Sequence, residues 1–452
     1  MAELIRVLTD KKHQTMRSFG VSGAWWSQVS GAWKETDPES GLPKGEQICK
    51  LLFDPVDGIG ITCFRYNIGA GSAHSGAGTF SMETRRTESF DAGEGKYDFS
   101  RDKYAVRTME YAVKYGADEI IFFVNSPIER LTQNHKSHLD KALRTNLAKE
   151  NYKAFADYCL DVTEHFIEKG IPVKYLSPVN EPVWVWTGGQ EGCHYSAKQV
   201  GKIMHLFAVE LEKRTALKGK LKLSGAENGD LRWFNKTYAR TMLNDPVIRR
   251  NIDSLDTHSY FLNPFFLKRT DFVKRYKKWM DKHYPGVELV TSEWCHMQGS
   301  RHYGMDSALE QARIMYEDIS LLDCPSWQLW IACSDVDYCD GLIYLFGDTR
   351  TFRLTKRYYA FGNYSKFIKK GDRRVETDCA DAELKILAFE SDTQLKLIII
   401  NDTYATKTVS LGKDGAGELY VTDNLLNLEK QVVKLDDINI YPESVNTLII
   451  NK

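Results

Sequence analysis

Residues 175–186 read Tyr175-Leu-Ser-Pro-Val-Asn180-Glu181-Pro182-Val-Trp184-Val-Trp186. The run starts as a short apolar strand and then reaches an amide, a carboxylate and a proline. Proline has no backbone N–H and cannot continue a β-ladder, so we expect the strand to end at Pro182. Asn180 and Glu181 are then predicted at the strand exit. A carboxylate beside indole rings is a candidate proton donor, although a plain strand end with an exposed glutamate fits the same residues.

Helical patterns lie on both sides of this strand, and the alternation of strand and helix repeats along the chain. Continuous apolar strands joined by helices indicate a parallel sheet, and eight such units indicate a closed (β/α)8 barrel, the TIM fold of the α/β class. The predicted strands are 18–26, 60–68, 119–127, 175–182, 221–228, 255–260, 288–294 and 326–332. The predicted helices are 45–53, 101–115, 149–169, one that begins at 196, 234–243, 271–283, 308–322 and 358–368.

The pattern changes after Gly371. Short strands at 385–389, 394–400, 418–421 and 447–450 are separated by turns and show no helical spacing. They indicate an antiparallel β-sandwich, and the isolated first strand, 4–8, is expected to complete it. We therefore predict a barrel domain at 14–370 and an attached β-sandwich built from both chain termini, 1–13 plus 371–452.

The bulk composition describes an ordinary folded protein. At 452 residues the chain exceeds what one hydrophobic core usually holds, which fits two domains. Its formal net charge of -1 provides no basic surface for nucleic acid or for docking on anionic lipid. No apolar run approaches the roughly 18 residues of a transmembrane helix. We expect neither a nucleic-acid nor a membrane partner.

Glu3 and Arg6 interrupt the apolar region that a signal peptide requires, so a cytoplasmic location is expected. A secreted chain whose signal had been removed would look the same. The nine cysteines are scattered and form no Cys-x-x-Cys pair, which favours free thiols in a reducing compartment. Two Cys-His pairs are adjacent in sequence, the wrong spacing for zinc, so neither a metal nor a cofactor is predicted.

The carboxyl ends of the strands form the active site of a (β/α)8 barrel. Glu181 and Glu293 close the fourth and seventh predicted strands. Two carboxylates facing each other across a barrel mouth are the minimal machinery for glycoside hydrolysis, because one protonates the leaving oxygen while the other stabilises or attacks the anomeric carbon. The other candidates at strand ends are Trp25, Arg65, Asn125, Asn180, Asn228, His258, Tyr260 and Trp330.

Tryptophans mark the same end of the predicted barrel. Flat indole faces stack on the C–H faces of sugar rings, so a group of them favours a saccharide cleft, although each alone also fits core packing. Eight of the ten tryptophans lie at or just after predicted strand ends, at positions 25, 26, 33, 184, 186, 233, 294 and 330.

Several ordered motifs resemble those of glycoside hydrolase family 30. The run at 175–182 resembles the family's acid/base motif, and Val290-Thr-Ser-Glu293-Trp294 resembles its nucleophile motif. The early runs 19–26 and 65–69 also match, as does a barrel with a sandwich built from both termini. The resemblance covers essentially the whole chain.

The resemblance implies a retaining double displacement, with Glu181 as general acid and then base and Glu293 as nucleophile. In such enzymes the two carboxyl groups lie about 5–5.5 Å apart. It also implies that Asn180 bonds the sugar 2-hydroxyl, that Arg65 keeps Glu293 ionised, and that a histidine and a tyrosine orient the carboxylates. The implied substrate-binding residues are Asn180, Arg65, Tyr260, His258, Trp25, Trp184, Trp294, Trp330 and Asn125.

The substrate is less closely specified. Residues 190–194, Gln-Glu-Gly-Cys-His, resemble the branch of the family that acts on β-1,6-linked galactan, so a β-1,6-galactoside is our first expectation. After the third strand, Asn125-Ser-Pro is followed by Ile-Glu-Arg and departs from the family pattern. β-Xylosides, β-glucosides and β-glucuronides therefore stay open. A saccharide-binding barrel without activity is the alternative from another class.

Two further loops complete the predictions. The glycine-rich loop at 69–78 lacks the lysine of a phosphate-binding motif, and with Arg85 it is expected to form one wall of the cleft. The acidic segment 335–340 lacks the ligand spacing of a calcium loop and is interpreted as a solvated loop.

Overall fold

The computed structural model describes residues 2–75, 80–93, 95–232, 235–261 and 268–452. The strands are β1 Glu3–Thr15, β2 Ser18–Ser22, β3 Cys63–Asn67, β4 Glu119–Phe123, β5 Val173–Ser177, β6 Lys222–Leu223, β7 Ala226–Asn228, β8 Ser254–His258, β9 Glu288–Glu293, β10 Ser326–Leu329, β11 Cys333–Ser334, β12 Ile343–Phe346, β13 Thr351–Leu354, β14 Arg373–Cys379, β15 Leu384–Glu390, β16 Gln394–Asn401, β17 Lys407–Ser410, β18 Ala416–Thr422, β19 Asn427–Lys434, β20 Ile438–Ile440 and β21 Ser444–Asn451. The α-helices are α1 Trp26–Ser30, α2 Lys44–Phe53, α3 Lys103–Tyr115, α4 Tyr152–Glu168, α5 Ala197–Lys213, α6 Asn235–Leu243, α7 Pro246–Asn251, α8 Arg269–His283, α9 Met305–Leu321 and α10 Lys356–Ser365.

Strands β2 to β10 form a parallel sheet in the order β6-β5-β4-β3-β2-β10-β9-β8-β7. Strand β10 pairs with β2, so the last strand returns to the first. Strands β6 and β7 are two parts of one strand, separated only by Ser224 and Gly225. The sheet therefore has the eight strand positions of a (β/α)8 barrel, and the predicted barrel is confirmed.

The strand at 175–182 ends earlier than predicted. Strand β5 stops at Ser177, because Pro178 already removes the N–H that the ladder needs. Asn180 and Glu181 therefore lie in the loop just past the ladder, at the barrel mouth. The next helix begins as expected: the Ser196 side chain accepts a hydrogen bond from the Gln199 backbone, and the Gln199 side chain bonds back to Ser196.

The two chain ends meet in a nine-stranded sandwich with the order β19-β18-β21-β16-β15-β14-β1-β17-β20. Strand β1 pairs antiparallel with β14 and parallel with β17, so the isolated first strand completes the sandwich as predicted. It is longer than the expected 4–8. The sequence patterns missed β14, β17, β19, β20 and the small sheet β11-β12-β13. The domain limits at 13/14 and 370/371 stay a prediction.

Strand β16 joins the sandwich to the barrel. Its alternate side chains point to opposite faces of the sheet. Leu397 and Ile399 lie in the sandwich core, whereas Ile398 and Ile400 pack into the barrel core, on the side where α9 and α10 meet the sandwich. The continuous apolar run at 397–400 therefore serves two separate cores.

Within the described ranges, none of the helices is long and apolar enough to cross a membrane. All nine cysteines are free thiols, and eight of them are buried. Burial raises the pKa of the Cys63 and Cys159 thiols well above the ordinary value, so both stay protonated at neutral pH.

One buried ion pair gives a test of this architecture. Lys396 of β16 and Asp372 lie 2.7 Å apart with side chains 5% and 4% exposed. We expect Asp372→Ala to lower the free energy of unfolding by about 3–5 kcal/mol, because Lys396 is left as an uncompensated buried charge. Replacing both partners, as Asp372→Leu with Lys396→Met, should recover most of the loss.

The matched control is the exposed pair of Lys430 and Glu418, whose side chains are 49% and 43% exposed. Glu418→Ala should cost less than about 1 kcal/mol, because water screens the exposed charge. Chemical denaturation of the three variants gives the comparison. Equal losses for Asp372→Ala and Glu418→Ala would show that burial does not govern the Lys396 pair.

Candidate active site

A cleft of about 880 Å³ opens at the carboxyl ends of the barrel strands. Its walls come from the segments that follow β2, β3, β5 and β7 to β11. The lining residues are Trp25, Met82, Arg85, Asn180, Glu181, Trp184, Val185, Trp186, Gln190, Gly229, Tyr260, Glu293, Cys295, Met297, Trp330, Val336, Asp337, Tyr338 and Asp340. Met82 and Arg85 line one side, as predicted for Arg85 in the loop after the second strand, whereas residues 69–75 are not among the lining residues and 76–78 lie outside the described residues.

Glu181 and Glu293 lie side by side at the base of this cleft. Both contact one imidazole nitrogen: Nδ1 of His258 is 2.8 Å from Oε1 of Glu181 and 3.3 Å from Oε1 of Glu293. An oxygen of each carboxylate lies within 4.8 Å of the other. This spacing is close to the separation of about 5–5.5 Å that we predict for a retaining enzyme and below the 6.5–9.5 Å of inverting ones.

Two donors bind Glu293 from beneath and beside the cleft. Arg65, which is fully buried on β3, places Nη1 3.3 Å from Oε2. Tyr260 donates its hydroxyl to Oε1 at 3.0 Å. The structure thus brings Arg65 and Tyr260 to the Glu293 carboxylate, because the strand ends of a closed barrel converge on one point.

A third carboxylate, Glu227, was missed by the sequence reasoning. It lies fully buried on β7 and accepts hydrogen bonds from Arg65 Nη2 at 3.2 Å and from His258 Nε2 at 3.1 Å. The Ser292 hydroxyl also donates to it. Its signal was present, because Glu227-Asn228 closes the fifth predicted strand.

The titration of the site follows from this crowding. Burial disfavours a charged imidazole, but Glu293, Glu181 and Glu227 outweigh it and raise the pKa of His258 to about 10. Burial also disfavours the Glu227 anion, yet Arg65, His258 and Ser292 lower the pKa of that carboxyl to about 2. His258 is therefore a permanent cation and Glu227 a permanent anion near neutral pH.

Glu293 behaves differently from the expectation that Arg65 keeps it ionised. Burial is the largest influence, and together with the Glu181 and Glu227 charges it raises the pKa of Glu293 to about 7, although His258 and Arg65 act in the opposite direction. Of two carboxylates that share a site, one retains its proton to higher pH. In the free protein Glu293 therefore retains its proton to higher pH than an ordinary glutamate.

An amide relay holds Asn180. Its Nδ2 donates to Asn125 Oδ1 at 2.9 Å, and Asn125 Nδ2 donates to Asn67 Oδ1 at 3.4 Å. The Oδ1 atom of Asn180 has no partner among the described residues. Asn125 thus lies behind Asn180 and orients it, and Asn180 has an acceptor left for a ligand hydroxyl.

The tryptophans divide into two groups. Trp25, Trp184, Trp186 and Trp330 line the cleft, as expected of a saccharide site. The structure corrects the prediction for Trp294, which packs in the barrel core against Trp327. The reason is the strand periodicity: neighbouring residues point to opposite faces, so Glu293 and the residue after it cannot both face the mouth. Trp26 and Trp33 are core residues too, and position 233 lies outside the described residues.

Two loops also differ from their interpretation. Of the segment 190–194, Gln190 alone is among the described residues that line the cleft. Glu191 is buried and accepts hydrogen bonds from the backbone N–H groups of Ala70 and Ser72. It fastens the β5 loop to the β3 loop. Asp340, at the end of the acidic segment, is 7% exposed and lines the cleft, so the interpretation of 335–340 as a solvated loop is wrong at that residue.

One group of side chains is compact enough to hold a metal ion: Glu181, His258 and Glu293, within the described part of the chain. His258 argues against it. Both its ring nitrogens already face carboxylates, and its pKa of about 10 makes it a cation, which repels a metal ion. We therefore assign the group to proton chemistry.

A (β/α)8 barrel whose mouth holds two adjacent carboxylates in an aromatic cleft has the architecture of the barrel glycosidases. The model of O-Glycosyl hydrolase family 30 matches residues 2–344. The chain therefore belongs to glycoside hydrolase family 30, a family of glycosidases. The predicted family and enzyme class are confirmed.

Known relatives differ in their substrates. An endo-beta-1,6-galactanase from Hypocrea rufa is 25% identical, and the match covers 44% of this chain and 44% of that protein, so the chain spans under half of its length. The glucuronoxylanase XynC from Bacillus subtilis is 22% identical over 77% of each protein. The crystal structure of a conserved exported protein from Bacteroides fragilis has a TM-score of 0.89 at 22% identity, covering 99% of this chain and 100% of that one, and shares the fold.

Glu227 is predicted to be a positioning residue. Glu227→Gln removes the anion that holds Arg65 and His258, so kcat/KM should fall on the order of 10²-fold through displacement of the two reacting carboxylates. The pH profile gives a second readout. Without the Glu227 charge the pKa values of His258 and Glu293 both fall, so the basic limb of kcat/KM should move to lower pH. A reduced rate with an unmoved profile would leave Glu227 a purely structural residue.

Proposed function

We propose that the protein is a retaining β-glycoside hydrolase, with Glu181 as acid and base and Glu293 as nucleophile. The observation that carries the proposal is the close pair of carboxylates, which have oxygens within 4.8 Å of each other. Both contact Nδ1 of His258, and only Glu293 also contacts Arg65 and Tyr260. At this spacing no water molecule fits between the sugar and the second carboxylate, which favours direct attack over inversion.

The donors support the division of roles. Glu293 faces the Arg65 guanidinium and accepts the Tyr260 hydroxyl, and both stabilise a carboxylate anion. Glu181 accepts from His258 and borders the tryptophan wall of the cleft. Arg65 and Tyr260 fix the position of the Glu293 carboxylate and favour its departure as a leaving group, whereas Glu181 beside the tryptophan wall is suited to carry the proton.

The reaction proceeds in two displacements. An oxygen of Glu293 attacks the anomeric carbon, the bond to the leaving oxygen breaks, and Glu181 gives that oxygen its proton. Glu181 then takes a proton from water while the water oxygen attacks the anomeric carbon and releases Glu293. Both displacements invert the anomeric centre, so the product retains the β-configuration. The Oδ1 atom of Asn180, which has no partner among the described residues, accepts a hydrogen bond from the sugar 2-hydroxyl.

The substrate that we propose first is a β-1,6-linked galactoside. Its support is the likeness to the Hypocrea rufa galactanase and the 190–194 segment, of which Gln190 lines the cleft. The test is a product screen against β-1,6-galacto-, β-1,6-gluco- and β-1,4-xylo-oligosaccharides and a glucuronoxylan fragment. We expect the galacto-oligosaccharides to have the highest kcat/KM. Faster cleavage of another series would assign the same machinery to that sugar, and binding without cleavage would assign a saccharide-binding barrel.

Azide rescue tests the roles of the two glutamates. Glu293→Ala should lower kcat on the order of 10⁴-fold or more with 2,4-dinitrophenyl β-galactoside. Added azide should then give the α-glycosyl azide, because azide takes the place of the nucleophile. Glu181→Ala should instead give the β-azide, because the leaving group needs no proton and azide attacks the glycosyl-enzyme.

The control for this experiment is Glu288→Ala, at the opposite end of the same strand, where Glu288 pairs with Arg17 at 3.0 Å. This variant should keep its activity, because the amino end of β9 faces away from the cleft. Normal hydrolysis by Glu293→Ala would refute the nucleophile assignment.

A further inference from the structure

We propose that Arg85 and Asp340 form a hydroxyl clamp across the cleft, which selects neutral sugars and disfavours uronic acids at the adjoining subsite. The inference rests on the proposed function and deepens it, because it names the class of sugar that the glycosidase accepts. Neither residue takes part in the two displacements.

Asp340 supplies the acceptor side of the clamp. It lies between β11 and β12, lines the cleft and is 7% exposed. Its Oδ1 atom is buried and has no partner of ordinary hydrogen-bond geometry among the described residues, while the Ser334 hydroxyl and the Asp340 backbone lie close enough to lower the pKa of the carboxyl against the effect of burial. An unsatisfied buried acceptor is costly, so a ligand that donates to it gains affinity. Since the χ2 torsion of aspartate is broad, a small rotation turns this oxygen toward the cleft.

Arg85 supplies the donor side. It ends the 3-10 turn Glu83–Arg85 in the loop after β3, and its guanidinium lies 4.8 Å from the ring centroid of Trp25. Arg85 and Asp340 line the same cleft, and each charge shifts the pKa of the other. Among the described residues they form no ion pair within 4.0 Å, although both line the same cleft and their charges interact.

The surroundings of this pair suit a polyhydroxyl ring. Trp25 and Trp330 cross at 85° with ring centroids 5.4 Å apart, which places apolar ring surface beside the polar pair. The Nε1 donor of Trp25 and the Oδ1 acceptor of Asn180 are also without partners among the described residues. Donors and acceptors are thus both in surplus, which fits hydroxyl groups because each hydroxyl donates and accepts.

The charges decide between neutral and acidic sugars. A uronate carboxylate would be attracted to the Arg85 guanidinium but would share the cleft with Asp340, Glu181 and Glu293. Repulsion between like charges is stronger in a cleft from which water is displaced. A neutral hydroxyl pays no such penalty: it donates to Asp340 and accepts from Arg85. Glucuronides are therefore the alternative that this cleft disfavours, although the related XynC from Bacillus subtilis is named a glucuronoxylanase.

Binding measurements separate the clamp from catalysis. We would titrate Glu293→Gln protein, with and without Asp340→Ala, with the 4-nitrophenyl β-glycosides of galactose, glucose, xylose and glucuronic acid. The neutral glycosides should bind about tenfold or more tightly than the glucuronide, since hydrogen bonds to charged groups are worth that much. Asp340→Ala should weaken the neutral ligands by a similar factor and remove or reverse the preference, because Arg85 is left alone.

Two controls define the failure of the clamp. Asp348→Ala, in the exposed turn between β12 and β13 and outside the cleft lining, should change no affinity, and Asp340→Asn, which keeps the shape and one acceptor, should fall between wild type and Asp340→Ala. Three outcomes would overturn the proposal. Asp340→Ala could leave the affinity for the neutral glycosides unchanged, the glucuronide could bind as tightly as the galactoside when Asp340 is present, or none of the four ligands could bind. The measurement is ligand binding to a variant without turnover, so its outcome does not depend on the catalytic roles of Glu181 and Glu293.

Discussion

The buried carboxylate of Glu227 is the interaction on which the site depends. It pairs with Arg65 and with His258, and these two cations in turn contact Glu293 and Glu181. Three carboxylates and two cations out of water are stable only if each charge has a partner, since an unpaired buried charge costs several kcal/mol. Glu227, which takes no part in the proposed reaction, thus holds the two cations that position Glu181 and Glu293.

The backbone reinforces this arrangement. Glu181 and Glu227 both have positive φ, at 42° and 50°, and the N–H of Glu181 donates to the carbonyl of Glu227 at 2.8 Å. Non-glycine residues in this region are strained, and such strain persists where the surrounding structure holds it. The ends of the fourth and fifth strands are therefore fixed to each other by main chain and side chains together. The loop walls around this rigid base carry the residues that we propose for selectivity, Arg85 and Asp340.

Much of the fold was predictable because its signals are local. The eight strand positions follow from apolar runs between helical patterns, and Ser196 marks a helix start through its own capping contacts. Errors arose where two local signals competed. Pro178 ends strand β5 before Pro182. The predicted strand 394–400 is present as β16, and only the tertiary structure divides Leu397 and Ile398 between two cores.

Local sequence therefore determined the barrel, the sandwich from both termini and the placement of Glu181 and Glu293 at strand ends, because proline stops and side-chain periods act over a few residues. Tertiary structure alone decided which polar residues became partners. Glu227 meets Arg65 across 162 positions of sequence, and Asp340 and Arg85 meet only because two loops border one cleft. Burial and charge pairing depend on distances that the folded barrel creates, and no local pattern contains them.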